Sequence, residues 1–299
     1  MAKKLNETLK TIESYKAVNP HYVDLLDILE AILILREAYK KKKHPPVFSV
    51  DEALIPQKIK GGLPLVDLSG GQYNLTGPKE YFHSLLTIAE ERMPVEAQIL
   101  LKDLEDGTVV YEDMIRDIID GCAECEEHGE EHPEREGKGA CETSPGDTNE
   151  DEEIEESFDL IELFLEESLR PDLELIAEKY GPVVDRSDWL EGYCPICGKE
   201  PKIGELREEE ERRYLFCNQC GYEWDFVRIK CPFCGNEEQQ SLAFFTVEGD
   251  DRYRVDVCNE CKRYIKIIDF RETKEEANLD VEDIATLHLD MLAYEEGYN

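Results

Sequence analysis

Eight of the eleven cysteines fall into four Cys-x-x-Cys pairs: Cys194/Cys197, Cys217/Cys220, Cys231/Cys234 and Cys258/Cys261. Four such pairs supply the thiolates of two tetrahedral metal sites; zinc is the default ion, and iron is equally at home among four sulfurs. Nineteen residues separate Cys197 from Cys217 and twenty-three separate Cys234 from Cys258, against ten between Cys220 and Cys231. The spacing therefore groups the first pair with the second and the third with the fourth, with an interleaved grouping left open. Gly198, Gly221 and Gly235 follow three of the pairs, as a tight turn with positive φ requires, and Lys262 breaks the pattern at the fourth. A redox disulfide needs one such pair, not four.

Between the turns the chain reads as strand. Arg213–Phe216 leads into the second turn, Tyr222, Trp224 and Phe226 alternate with Glu223 and Asp225 beyond it, and Val227–Lys230 runs into the third. Ala243–Val247, Tyr253–Val257 and Tyr264–Ile268 repeat the scheme. Each half is a short ribbon, too small to fold on buried apolar surface alone, so a metal must contribute folding energy.

The N-terminal part is helical by pattern. Val23, Leu26, Leu29, Ile32, Leu33 and Leu35 recur at helical intervals after Pro20. Pro78 and Pro94 suit the first turns of helices over Lys79–Arg92 and Val95–Leu104. A further helix spans about Val109–Ile119, and one from Phe158 reaches Arg170, where Pro171 starts or kinks a segment ending at Gly181-Pro182. Ser49–Gly77 reads as loop, and its Gly70-Gly71 lacks the lysine of a phosphate-binding turn.

Residues 121–157 hold 15 acidic and two basic residues and almost nothing apolar, the composition of a disordered insert. The insert nevertheless contains Cys122, Cys125, His128 and His132, with Cys141 beyond, a candidate mixed set for a third metal.

Across the chain 34 basic residues face 70 acidic ones, a net charge of −36. From 188 to 268 the count is 12 against 17. This balance opposes nucleic-acid binding, which depends on Lys and Arg displacing counterions, and so argues against a zinc-ribbon nucleic-acid factor. It suits a strongly solvated surface or a basic partner. No apolar stretch is long enough for a bilayer, and the start Met1-Ala2-Lys3-Lys4-Leu5 leads into no signal-like run, so membrane insertion is not expected and a reducing, cytoplasmic setting is. His21, His44, His83 and His288 are scattered, with no nucleophile arranged about them; no catalytic residue is expected.

The run Arg213–Cys231, the segment Cys258-x-x-Cys261-x-x-Tyr264-x-Lys266, the stretch Asp283-Ile284-Ala285-Thr286-Leu287-x-Leu289-Asp290 and the ending Glu295-Glu296-Gly297-Tyr298 resemble the FdhE-type formate dehydrogenase accessory proteins. The likeness is specific from about Tyr193 onward. It implies two rubredoxin-like modules after a helical domain, and a role in maturing formate dehydrogenase by contact with its catalytic subunit. Arg228, Tyr264 and Lys266, supported by Trp224, are the partner-contact candidates, although Trp224 also suits a cover over a ribbon core.

The resulting expectation is an α+β chain. A helical domain covers 1–181, four-cysteine ribbons cover 188–225 and 226–270, and a C-terminal helix covers 280–296. Two metal ions, zinc or iron, are each held by four cysteines. The alternative function is rubredoxin-like electron transfer.

Overall fold

A computed structural model describes residues 2–42, 44–68, 73–124, 150–207, 212–247, 250–272 and 277–299. Cys125, His128, His132 and Cys141 lie outside the described residues, as does Gly70-Gly71; at Cys122 only the helical backbone is described. Among the described residues no helix is long and apolar enough to cross a membrane.

The fold is mixed α+β, as expected. Helices α1 (Ala2–Val18), α2 (Val23–Lys40), α3 (Ile55–Lys60), α4 (Thr76–Arg92), α5 (Pro94–Asp106), α6 (Tyr111–Glu124) and α7 (Glu150–Val184) precede strands β1 (Ile203–Arg207), β2 (Arg212–Phe216), β3 (Glu223–Phe226), β4 (Leu242–Val247), β5 (Asp250–Cys258) and β6 (Tyr264–Ile268). Two short helices follow, α8 (Leu279–Ala285) and α9 (Leu287–Glu295), where a continuous 280–296 helix was expected. The break falls at Thr286, whose side chain turns back to bond the Glu282 carbonyl at 2.6 Å.

The chain divides into two compact units, residues 1–67 with 170–299, and residues 68–169. These limits differ from the one at 181, because α1 and α2 pack on α8: Ile12, Leu26, Leu29, Leu33 and Val281 form one apolar cluster. Tyr15 on α1 donates to the Glu282 carboxylate at 2.7 Å and meets the Tyr253 hydroxyl at 2.9 Å. The second unit encloses Phe82, Leu85, Leu86, Tyr111, Ile115 and Phe164, with Tyr81 donating to Glu167 at 2.9 Å within it.

Several local expectations change. α7 runs through Pro171 and Pro182 without ending at either. α6 and α7 also extend into the acidic stretch at 121–124 and 150–157, where glutamates are good helix formers and acidic side chains favour the α7 N-terminus. α3 appears inside the expected 49–77 loop, and β1 was not foreseen, since Gly204 weakens its strand signal. That glycine is required: a Cβ there would stand 2.6 Å from the Tyr214 carbonyl of the neighbouring strand.

All six strands join one sheet in the order β3-β2-β1-β6-β5-β4. Every pairing is antiparallel except β1 with β6, where Ile203, Gly204 and Glu205 face Lys266, Ile267 and Ile268 in parallel register. The two ribbons thus share a sheet and an apolar core that includes Ile203, Phe216, Val255, Ile268 and Leu289. Residues 227–230, expected to continue as strand, are not one. The Arg213 guanidinium draws the carbonyls of Val227 (2.9 Å) and Lys230 to itself, which removes them from a ladder.

Candidate metal centres

Each Cys-x-x-Cys turn closes with the same two backbone bonds. The amide of the first cysteine donates to the carbonyl five residues on, and the amide four residues on donates back to that cysteine's carbonyl, at 2.8–3.1 Å in all four turns. The geometry needs a left-handed residue after the second cysteine. Gly198, Gly221 and Gly235 occupy it at φ 81°, 66° and 73°, and Lys262 at φ 60°. A side chain in that region is strained by about 1 kcal/mol. Lys262→Gly is therefore expected to stabilise the protein by about 0.5 kcal/mol, part of the relief being offset by the glycine's greater unfolded entropy. A higher unfolding midpoint at unchanged metal content is the check.

The turns bring the sulfurs together as the spacing suggested. Cys194, Cys197, Cys217 and Cys220 form one group, and Cys231, Cys234, Cys258 and Cys261 the other, with all four sulfur atoms of each group within 4.8 Å of one another. Adjacent sulfurs stand 3.4 Å apart for Cys194 and Cys220, 3.5 Å for Cys197 and Cys217, and 3.7 Å for Cys231 with Cys261 and Cys234 with Cys258. Four thiolates about 2.3 Å from a central ion stand roughly 3.8 Å apart. The groups therefore have the dimensions of tetrahedral four-sulfur sites, and none of the eight cysteines is in a disulfide. Zinc and iron both fit that donor set; the ion would supply cross-linking charge, and a site closed by four protein ligands leaves no position for substrate.

The surroundings hold the sulfurs in place. The Ile196 amide points to Cys194 Sγ at 3.4 Å, and Asn236 Nδ2 points to Cys258 Sγ at 3.6 Å. Burial alone would push the Cys258 thiol up, but backbone amides of Cys261 and Glu260 and the Asn236 donor win and bring it down to about 7. Burial pushes Cys194 and Cys220 well up, so an added positive ion is what makes four thiolates tolerable there. Beside the first group lies a cluster in which Glu174 meets Arg36 at 3.0 Å, Lys40 at 3.1 Å and Arg170 at 3.0 Å. Burial opposes its ionisation, but the three cations outweigh that and hold Glu174 at about 2.

The four partner-contact candidates lie in different settings. Trp224 is buried and donates to the Glu191 carbonyl at 3.3 Å, the role of a core cover. Lys266 is only 2% exposed, and its ammonium meets Asp283 Oδ1 (2.7 Å), the Asp283 carbonyl (2.8 Å) and Asp290 Oδ2 (2.8 Å). Tyr264, half-buried, donates to the same Asp290 at 2.8 Å. Arg228 is half-buried between the exposed Val227 and Ile229. Asn236, Arg213 and Gly192 were not foreseen. At Gly192 an added methyl would overlap the Pro232 carbonyl of the third turn, and only absence of a side chain lets the two sites pack so closely.

Comparison with known proteins agrees with this geometry. Residues 193–228 match the family model described as the FdhE central domain, and residues 229–299 the FdhE C-terminal domain. A protein named FdhE homolog from Aquifex aeolicus is 37% identical over 145 residues, 48% of this chain and 50% of that protein. One from Pseudomonas aeruginosa is 38% identical over 114 residues, 35% of this chain and 36% of that protein. The chain thus spans half of the first relative's length and about a third of the second's. The crystal structure of the Pseudomonas aeruginosa FdhE protein aligns with TM-score 0.57 at 21% identity, covering 92% of this chain and 85% of that one, and so shares the fold. The likeness to the FdhE domain models thus runs from residue 193 to residue 299 and takes in both four-cysteine groups.

Proposed function

We propose that this protein is an accessory factor for formate dehydrogenase, that it acts in the cytoplasm on the enzyme's catalytic subunit, and that it carries no active site of its own. One observation carries the reading: the two FdhE domains fall side by side on residues 193–299 and contain all eight clustered cysteines. The metal groups on this view are scaffolding that shapes a docking surface.

The surface that best fits contact with a partner is the connection between the two sites. Val227 and Ile229 are 48% and 49% exposed there, on either side of Arg228. Arg is enriched among binding hot spots, and exposed apolar neighbours can help to exclude water around it. A net charge of −36 adds long-range attraction for a basic partner surface, which speeds encounter more than it slows dissociation.

A host lacking this protein should make formate dehydrogenase polypeptide in normal amount with little activity. Arg228→Ala should weaken association with the purified catalytic subunit about tenfold, with both metal equivalents retained. Added salt should lower the association rate more than it raises the dissociation rate. Normal enzyme activity in the deletion host, or no association at low salt, defeats the assignment.

The rubredoxin-like alternative is favoured by one feature, the solvent exposure of Cys234, which gives an electron a short way out. Iron held there would colour the protein red and titrate with one electron, whereas zinc would do neither.

A further inference from the structure

The two four-thiol groups are unequally enclosed. In the first, Cys194, Cys197, Cys217 and Cys220 are 0–4% exposed. Residues 64–66 cover its first turn: the amides of Leu65 and Val66 donate to the carbonyls of Pro195 and Ile196, both at 2.9 Å, and the Pro64 ring lies where a Gly198 side chain would go. Its second turn is held from α7 by Arg170, which donates to the Asn218 carbonyl at 2.6 Å.

The second group is more loosely enclosed among the described residues: the Asn299 amide donates to the Lys262 carbonyl and the Tyr298 hydroxyl to Asn259 Oδ1, both at 2.9 Å, beside its fourth turn, but the sulfurs of the outer positions stay open to solvent. Cys234 is exposed and Cys261 partly so, while Cys231 and Cys258 are buried. What holds its buried half is Arg213, a residue of the first ribbon that is 2% exposed. Its guanidinium donates to the carbonyls of Val227 (2.9 Å) and Lys230 and lies 3.4 Å from Asp256, and it sits 5.1 Å from the centre of the Phe226 ring. Lys230 adjoins Cys231, and Asp256 lies two residues before Cys258. One buried cation thus fixes the segments leading to both inner sulfurs, with no metal taking part.

We propose that the second group is an exchange site, which gives up and takes back a soft divalent ion such as zinc or iron(II) while the first group keeps its own, and that Arg213 keeps the emptied second site assembled. The proposal rests on reading both groups as metal sites. Metal leaves a four-thiolate centre when an incoming donor attacks and a thiolate lets go, so the attacking group must reach the ion. In the first group every sulfur is shielded, and that attack requires the covering chain to open. In the second group Cys234 can swing away and return, while Cys231 and Cys258 stay where Arg213 holds their segments.

The test uses the full chain carrying two equivalents of zinc, challenged with excess EDTA, with bound zinc measured in desalted samples over time. N-ethylmaleimide in parallel samples, located by peptide mass mapping, reports which thiols have been freed. One equivalent is expected to leave at least about tenfold faster than the other. Labels should appear first on Cys234 and Cys261, and zinc added before labelling should restore two equivalents. Arg213→Met should weaken zinc binding at the fast site about 10–100-fold and leave the slow equivalent in place. Arg213→Lys, which keeps the charge and a donor, should recover part of that loss.

Loss of both equivalents together, or first labels on Cys194 to Cys220, overturns the proposal even if Arg213→Met cannot be purified. An unchanged fast site in Arg213→Met overturns the part assigned to Arg213. Folded protein with no metal in either group overturns the underlying metal reading, a distinct result.

Discussion

Cys217→Ser is expected to abolish the cooperative unfolding of the whole sheet and to remove the slowly exchanging metal equivalent. Cys217 is fully buried at the end of β2, which is paired on both sides, and its group closes the turns that launch β1 and β3. A structural zinc contributes about 10–16 kcal/mol to folding in small metal domains. The net stability of an entire domain is only about 5–15 kcal/mol, so losing that ion leaves nothing to hold the strands. Near-ultraviolet circular dichroism should lose its tertiary signal while far-ultraviolet helix signal persists in part. Cys234→Ser, at the exposed corner of the second group, should release one equivalent and leave the sheet transition in place. A Cys217→Ser protein with the native melting profile would refute the argument.

The second large effect is expected at Lys266. Its side chain is 2% exposed, and it neutralises two carboxylates, Asp283 and Asp290, each with a side chain 22% exposed. Lys266→Met keeps most of the volume and leaves the two acids facing each other without a cation. Breaking a buried ion pair from one side costs about 3–5 kcal/mol. Denaturant unfolding should show a loss of that size, and adding Asp283→Asn and Asp290→Asn together should return much of it. If Lys266→Met alone is as stable as the parent, the triad is not what fixes α8 and α9 to β6.

The sequence made the metal groups legible because the chemistry is local. Four turns with identical spacing each close on their own backbone bonds, so the ligands could be named without knowing how the turns would meet. The same is true of α2, with its apolar intervals, and of α4 and α5, with their first-turn prolines, since each signal sits within a single element. Contacts between elements were out of reach. Nothing local distinguishes Arg213, a buried clamp, from its neighbour Arg212, which is exposed. Strand alternation carried a hint, since Arg213 shares the parity of the fully buried Leu215. Trp224 also suits a cover over a ribbon core, and it is buried; the internal carboxylate partners of Lys266 lie on α8 and α9, which no local signal connects to β6. Gly204 misled in the other direction, since a residue that weakens a strand signal marks the point of closest approach between two strands.

The pairing of β1 with β6 also sets an order of events during synthesis. Ile203 waits for Lys266, and Tyr15 on α1 waits for Glu282, so the closing contacts join residues made early to residues made late. The first four-cysteine turn pair is complete once residue 220 has emerged from the ribosome, and it can take an ion while the rest of the chain is still being made. The sheet cannot be finished until β6 arrives, because β6 is the strand that takes the free side of β1. Loop closure over such a span is slow but costs little more than over a shorter one. A nascent chain paused before residue 264 should therefore present an open strand edge and a loaded first metal group, the form in which a ribosome-bound protein is most exposed to mispairing and to chaperones.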